Sequence, residues 1–525
     1  MPSINLSEVT SRAAPKPPSF TPSPQQEAVF EYARSGKGSA LIVAVAGAGK
    51  TTTLVETCKL LYGDVAFAAF NKKIADEIGR KLTDAGVGKN VKAATFHSFG
   101  FQAWRRAAPH VQVEAKKLDI LSKYLGVPKN LQSFVRVLTS IAKQSGVGIV
   151  TKLDDYLFYD EIVEHYDLRD KLYQKDRPLS RNETDDLVSA GIEWAQRLVI
   201  TSIDEDEKMI DFDDMIFSPL YHKVNFWQHD WMLVDEAQDT NVVRRLLAEA
   251  MLKQGGRLIA VGDPKQAIYG FTGASSDALD QIKEHFNTIE LPLTVSYRCA
   301  RSVVAHAQKL VSHIEAHPDA PEGSVSFISE DEFSKLVPGP TDAILCRNTK
   351  PLIQLALGYI KKGVAAHVEG RDIGGSLITL ARRWTSVRTC EDLQEKLADW
   401  SKDEMIRLQE RGDEQKIEAM LDRVESLYAV MESLAADDSI QTLVDKINSI
   451  FKDTEGRFVQ SITLSTVHKA KGREWNKVWI YGRNVYMPSP FARQLWQIEQ
   501  ENNLIYVAIT RAKRELVEVD LVGRK

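Results

Sequence analysis

Cysteine is scarce. Four stand in 525 residues (Cys58, Cys299, Cys346 and Cys390), far apart and with no C-x-x-C pair. That excludes a disulfide framework, gives no zinc or iron–sulfur signature, and points to a reducing cytosol. Long apolar runs are also missing: the longest, Ala40–Ala46 and Val65–Phe70, are strand-length, far below the roughly 18 residues of a membrane span. The first twenty residues lack the apolar core of a signal peptide and read as a flexible Pro- and Ser-rich lead-in. With no targeting signal, a cytoplasmic, monomeric protein without membrane contact is expected. Nor is there a basic excess, since 67 Lys and Arg face 72 Asp and Glu for a net charge of −5. On average, then, the charge argues against a nucleic-acid partner.

What is present is an ordinary globular composition, 43% hydrophobic and 26% charged, in a length that suits three or four domains of about 150 residues. Charge is segregated along the chain. Lys89–Gly148 holds ten Lys/Arg against two Asp/Glu, and Ile149–Met215 holds eight against nineteen. Composition alone reads these as two solvated helical faces of opposite sign. Strand-like runs alternate with helical patterns at Ser39–Val45, Val65–Phe70, Val91–Phe96, Trp231–Val234, Arg257–Val261 and Thr288–Leu291. They return at Ala343–Cys346, Ile462–Thr466, Lys477–Tyr481 and Glu515–Val519. Such alternation predicts parallel sheets covered by helices. Purely helical periodicity interrupts it at about Phe101–Asp204 and Leu377–Phe451, with Gly412 as a break and Asp438/Ser439 as an N-cap. The expected fold is α/β: a first core over 21–100 and 205–285 with a helical insertion at 101–204. A second core follows over 286–376 and 456–525, with a short helical insertion at 377–455.

The strongest local signal is Ala44-Val45-Ala46-Gly47-Ala48-Gly49-Lys50-Thr51, directly after a buried strand and before a helix. This is the spacing of a phosphate-binding loop, with Ala44 in place of the usual first Gly. Gly47 and Gly49 let backbone N–H groups turn toward a triphosphate at the helix N-terminus, where Thr52 follows. Lys50 is placed for the β- and γ-phosphates and the Thr51 hydroxyl for Mg²⁺. The strand Trp231–Val234 ends in Asp235 and Glu236, one suited to Mg²⁺ and the other to the attacking water.

With those two motifs and an ordered series around them, the sequence resembles a UvrD/Rep-type superfamily 1 helicase from about Pro22 to Lys513. The resemblance implies two RecA-like P-loop motor domains, each with a helical insertion. It implies ATP and Mg²⁺ as cofactors, and single-stranded DNA and its junctions with duplex as partners. Pro24–Val29 resembles the adenine-reading motif, with Gln25 on the base edge. In Val261–Ala274 the resemblance assigns Gln266 to link the γ-phosphate with the strand. Tyr297 would stack on adenine and Arg298 reach the γ-phosphate. Glu474, in the segment Thr466–Glu474, would bond the ribose, and Arg511, in Tyr506–Lys513, would be the arginine finger. Strand contacts fall on Phe70, Asn71, Thr95, His97, Tyr269, Phe271, Thr466 and His468. Several have plainer readings: Phe70 as a strand end, Tyr269 and Phe271 as loop core, the two histidines as structural hydrogen-bonders. Trp104, Arg105 and Arg106 read equally as strand path or solvated helix.

The chain departs from the family where Phe271-Thr272 replace Trp-Arg and where Asn502-Asn503 stand for Arg-Arg. Its second insertion is short and no C-terminal tail or nuclease domain is expected. The implied activity is ATP-driven, 3′→5′ translocation on single strands with duplex unwinding. A translocase that strips bound proteins, and a non-hydrolysing loading factor, are the alternatives.

Overall fold

Small and β-branched residues in runs of five or six leave the chain little choice but strand, and turn residues end each run. The computed structural model describes residues 21–522 apart from 70, 85, 167, 173–179, 269, 271–276, 411–413 and 452–460. Among the described residues there are two six-stranded sheets, parallel throughout. The first contains β1 (Ala40–Ala44), β2 (Val65–Ala69), β3 (Val91–Thr95), β4 (His229–Val234), β5 (Leu252–Gly262) and β6 (Ile289–Leu293), in the order β3-β2-β4-β5-β1-β6. The second contains β7 (Ser324–Ser329), β8 (Ala343–Cys346), β9 (Ala366–Val368), β10 (Ile462–Thr466), β11 (Trp475–Tyr481) and β12 (Ala512–Asp520), in the order β7-β12-β11-β8-β10-β9. In the first sheet β1 lies between β5 and β6. The chain leaves β1 toward β2 on one side, while β5 leads past β1 to β6 on the other. That divergence opens a crevice at the carboxyl ends of the strands, where parallel sheets bind ligands.

Strand periodicity sorts the core into three layers, because successive residues point to opposite faces. Ala40, Ile42 and Ala44 of the first sheet, and Ala343 and Leu345 of the second, belong to one shared cluster. The helix Leu495–Ile509 contributes Leu504–Ile509 to that same cluster. Alternate residues face outward. Leu41, Ala66 and Ala68 pack on the first insertion's helices, and Ile344, Cys346 and Leu464 pack on those of the second. All four cysteines are buried and free. No described helix is long and apolar enough to cross a membrane.

Most of the basic block is exposed, as expected of a solvated face, but two of its lysines are not. Lys117 and Lys143, on the helices Lys117–Tyr124 and Gln132–Gln144, are fully buried. Lys117 Nζ donates to Asp206 Oδ1 (2.6 Å) and Asp214 Oδ2 (2.8 Å), and Lys143 Nζ to Asp214 Oδ1 (2.5 Å). Part of the basic block thus neutralises part of the acidic one inside the molecule, clamping the insertion to the helix Asp214–Tyr221. Burial opposes the Asp214 charge, but the two ammonium groups outweigh it and lower its pKa to about 2. Replacing Asp214 by Ala removes the carboxylate bonded to buried Lys143 and one of the two bonded to Lys117. The expected cost is about 3–5 kcal/mol, read as a lower midpoint of chemical denaturation; an unchanged midpoint would refute it.

Two strands of these six-stranded sheets, Ser324–Ser329 and Ala366–Val368, are absent from the sequence-based pattern, as are the two-residue strands of two small sheets. The first is a serine-rich, mostly exposed edge strand, and the second has three residues. Expected domain limits cut helices: Phe96–Ala107 spans position 101, and Arg371–Ala381 spans 377. Ser439 caps the helix Ile440–Ile450, accepting from Thr442 N–H, while Gly412 lies outside the described residues. Trp104 is buried, its indole N–H donating to the Asp206 carbonyl, which removes it from any strand path.

Candidate active site

The strand Ala40–Ala44 feeds the loop Val45–Gly49, and the helix Lys50–Cys58 begins at once. Gly47 and Gly49 hold φ of +75° and +76°, which glycine adopts without the Cβ penalty. Packing imposes the same choice at Gly47, where a Cβ would lie 2.6 Å from Arg298 Cβ and Ser296 Oγ. The loop is gripped from outside its own sheet. Tyr297 N–H donates to the Gly47 carbonyl (2.9 Å), and Ala46 N–H donates to Tyr506 Oη (3.0 Å). Ala44, Val45, Ala46 and Ala48 are buried, whereas Thr52 is exposed.

Lys50 Nζ stands 3.3 Å from Glu236 Oε1, and Thr51 Oγ1 donates to Asp235 Oδ2 at 2.8 Å. Burial works against the Lys50 charge, but Glu236, Asp263 and Asp235 outweigh it and raise its pKa. Burial and the neighbouring Glu236 charge push Asp235 up to about 6. Glu236 goes the other way: burial opposes ionisation, yet Lys50 and Lys471 prevail and lower it to about 2. Glu236 holds φ of +52°, left-handed backbone that costs a non-glycine residue about 1–3 kcal/mol. Its N–H donates to Asp235 Oδ1 (2.9 Å), which helps fix the turn. A relay runs on from it. Gln238 Nε2 donates to Glu236 Oε2, Asp263 N–H to Gln238 Oε1 (3.0 Å), and Gln266 Nε2 to Asp263 Oδ2 (2.6 Å).

From the second sheet's side come two arginines. Arg298 Nε donates to Glu474 Oε2 (2.6 Å), and Lys513 Nζ takes the other Glu474 oxygen, also at 2.6 Å. Arg511 is 1% exposed, and its guanidinium donates to the Val507 and Arg473 carbonyls and to Thr510 Oγ1. With those neutral acceptors, burial and then Arg298 lower it to about 9. Gln25 exchanges two 2.8 Å hydrogen bonds with Thr294, and the half-exposed Tyr297 ring lies 4.8 Å from the His317 ring. The assembly is a ring of N–H donors and cations around a loop at a helix N-terminus, an anion site, with an ionised carboxylate beside it.

The model of the UvrD/REP helicase N-terminal domain matches residues 23–287, just over half of the chain and all of the turn Asp235–Asp239. The chain belongs to the UvrD/REP helicase family. The UvrD-like helicase C-terminal domain matches residues 461–519, which carry Glu474 and Arg511. Among similar proteins is a probable DNA helicase II homolog of Mycoplasma genitalium, 24% identical over 92% of this chain and 82% of its own. Another of the same description, from Rickettsia felis, is 21% identical over 95% and 92%. The ATP-dependent DNA helicase UvrD2 of Mycobacterium tuberculosis is 23% identical over 94% and 77%.

In this UvrD/REP chain the expected strand contacts divide. Phe70, Tyr269 and Phe271 lie outside the described residues. Asn71, Thr95 and Thr466 each cap a helix, accepting from Ile74, Ser98 and Lys469 N–H. Burial and then Arg244 lower His97 to about 4, and burial, Arg347 and Lys471 lower His468 to about 3. Both imidazoles are therefore neutral at pH 7. Thr466 and His468 line a cavity of about 440 Å³ together with Arg347, Asn348 and Asp422. Arg347 and Asn348 escaped the sequence reading; their position just past the strand Ala343–Cys346 was the available signal. Also missed was the tie between the cores. Asn503, one of the two departures from Arg-Arg, donates its amide to the Ala267 carbonyl (3.0 Å), next to Gln266.

Proposed function

We propose that this chain is an ATP-dependent DNA helicase that translocates 3′→5′ along single-stranded DNA and separates duplex ahead of it. The observation that carries the reading is the convergence of Lys50, Thr51, Asp235 and Glu236 from one sheet with Tyr506, Arg298 and Arg511 from the other side of one loop. Lys50 and the loop N–H groups hold the triphosphate, and Glu236 orients water toward the γ-phosphate. Thr51 Oγ1 and Asp235 Oδ2, 2.8 Å apart, are the hard oxygen donors that Mg²⁺ takes alongside phosphate oxygens. The ion would supply charge neutralisation on the β- and γ-phosphates. Arg298 and Arg511 reach the nucleotide from across the cleft, so hydrolysis requires both cores. The relay Glu236–Gln238–Asp263–Gln266 gives strand occupancy a route to the catalytic carboxylate.

Two measurements test the reading together. ATP turnover is expected to rise strongly with single-stranded DNA, and duplexes with a 3′ overhang are expected to open in preference to those with a 5′ overhang. Equal turnover with and without DNA would remove the motor. A 5′ preference would reverse the direction, and stimulated turnover without unwinding of either substrate would leave a protein-displacing translocase.

A further inference from the structure

Lys471 follows the Thr466–His468 stretch of the second core, yet its Nζ lies in the first. It donates to Asp239 Oδ2 and to the Gln266 carbonyl, both at 2.7 Å. The contact is nearly dry, with side-chain exposures of 8% for Lys471 and 2% for Asp239. Asp239 closes the turn that begins with Asp235 and Glu236, and its second oxygen, buried, has no hydrogen-bond partner among the described residues. Among the described residues, the ammonium bonded to this buried carboxylate therefore arrives from the opposite core. A buried charge that loses its partner is strongly destabilised, so Asp239 favours the arrangement in which Lys471 is in place. Lys471 is held in turn by its own segment. Its N–H donates to the His468 carbonyl, and Gly472, at φ +81°, reverses the chain behind it.

One short segment thus carries two candidate strand contacts, Thr466 and His468, and a cation that grips both the end of the acidic turn and the backbone of Gln266. We propose that Lys471 is a positioning residue that couples strand occupancy to hydrolysis, latching the Gln266 loop and the Asp239 end of the catalytic turn when DNA seats the Thr466–His468 segment. This rests on the function proposed above. Arg298 and Arg511 are the cations proposed to reach the nucleotide, whereas Lys471 Nζ is held by Asp239 and the Gln266 carbonyl.

The test is the ratio of ATP turnover with and without saturating single-stranded DNA, for wild type and for Lys471→Met, Lys471→Arg and Asp239→Asn. Lys471→Met is expected to lower the ratio about tenfold, within the range of allosteric couplings, mainly through kcat, with KM for ATP close to wild type. Lys471→Arg should recover most of the ratio. Asp239→Asn, nearly isosteric, should lower it in the same way, and the double variant Lys471→Met/Asp239→Asn should be no worse than the first. A purely structural role would depress basal and stimulated rates together and leave the ratio intact. That result, or a ratio unchanged in both single variants, would overturn the proposal. A wild-type protein without stimulation would instead overturn the parent reading.

Discussion

Arg511→Lys is expected to slow ATP hydrolysis by about 10³–10⁵-fold, the contribution typical of an arginine finger, while ATP binding stays within a few-fold of wild type. Lysine keeps the positive charge but not the planar fork. The fork matters here because the Arg511 guanidinium is fixed by the Val507 and Arg473 carbonyls and the Thr510 hydroxyl. An ammonium on a flexible stem cannot satisfy the same three acceptors from the same position. All three of those acceptors are neutral, so no carboxylate bonded to it neutralises the charge. Single-turnover hydrolysis and equilibrium binding of a fluorescent ATP analogue separate the two effects, and a thermal midpoint near wild type shows that the buried site has not collapsed. Hydrolysis within tenfold of wild type would remove Arg511 from the transition state.

Glu236→Gln is expected to lower turnover by about 10²–10⁴-fold, the usual contribution of a positioned general base. Glutamine is nearly isosteric and its oxygen can still accept from Gln238, so the turn at φ +52° carries the same strain in both proteins. What disappears is the negative charge that faces Lys50 and Lys471. Binding of single-stranded DNA in the presence of ATP should persist or tighten, because the nucleotide is held and not consumed. Retained hydrolysis would show that the water is activated elsewhere.

The local geometry of the glycine loop and the acidic turn was legible in the sequence because local pattern enforces it. The phosphate loop needs glycine at two left-handed positions, and the acidic pair needs a buried strand to present it. The strands were readable wherever both faces are buried, as at Val65–Ala69 and Ile462–Thr466. Reading failed where the signal is weak or long-range. Ser324–Ser329 is strand only because Ala512–Asp520 is there to pair with it. Lys471 and Asp239 are 232 residues apart in sequence, and nothing near either one announces the other. The caps are a subtler case: Asn71, Thr95 and Thr466 have obligations to their own helices, so a strand contact at any of them competes with a backbone hydrogen bond. Lys117 and Lys143 depart from the reading of charge, since a basic stretch rich in lysine placed two of them in the interior.

The apolar cluster that joins the two sheets bears on how they can shift against each other. The two sheets are joined into one apolar cluster through the Leu504–Ile509 face, and opening any apolar contact between them costs about 25 cal/mol per Å². Sliding one packed face over the other keeps that surface covered, and such shear is an established alternative to a hinge.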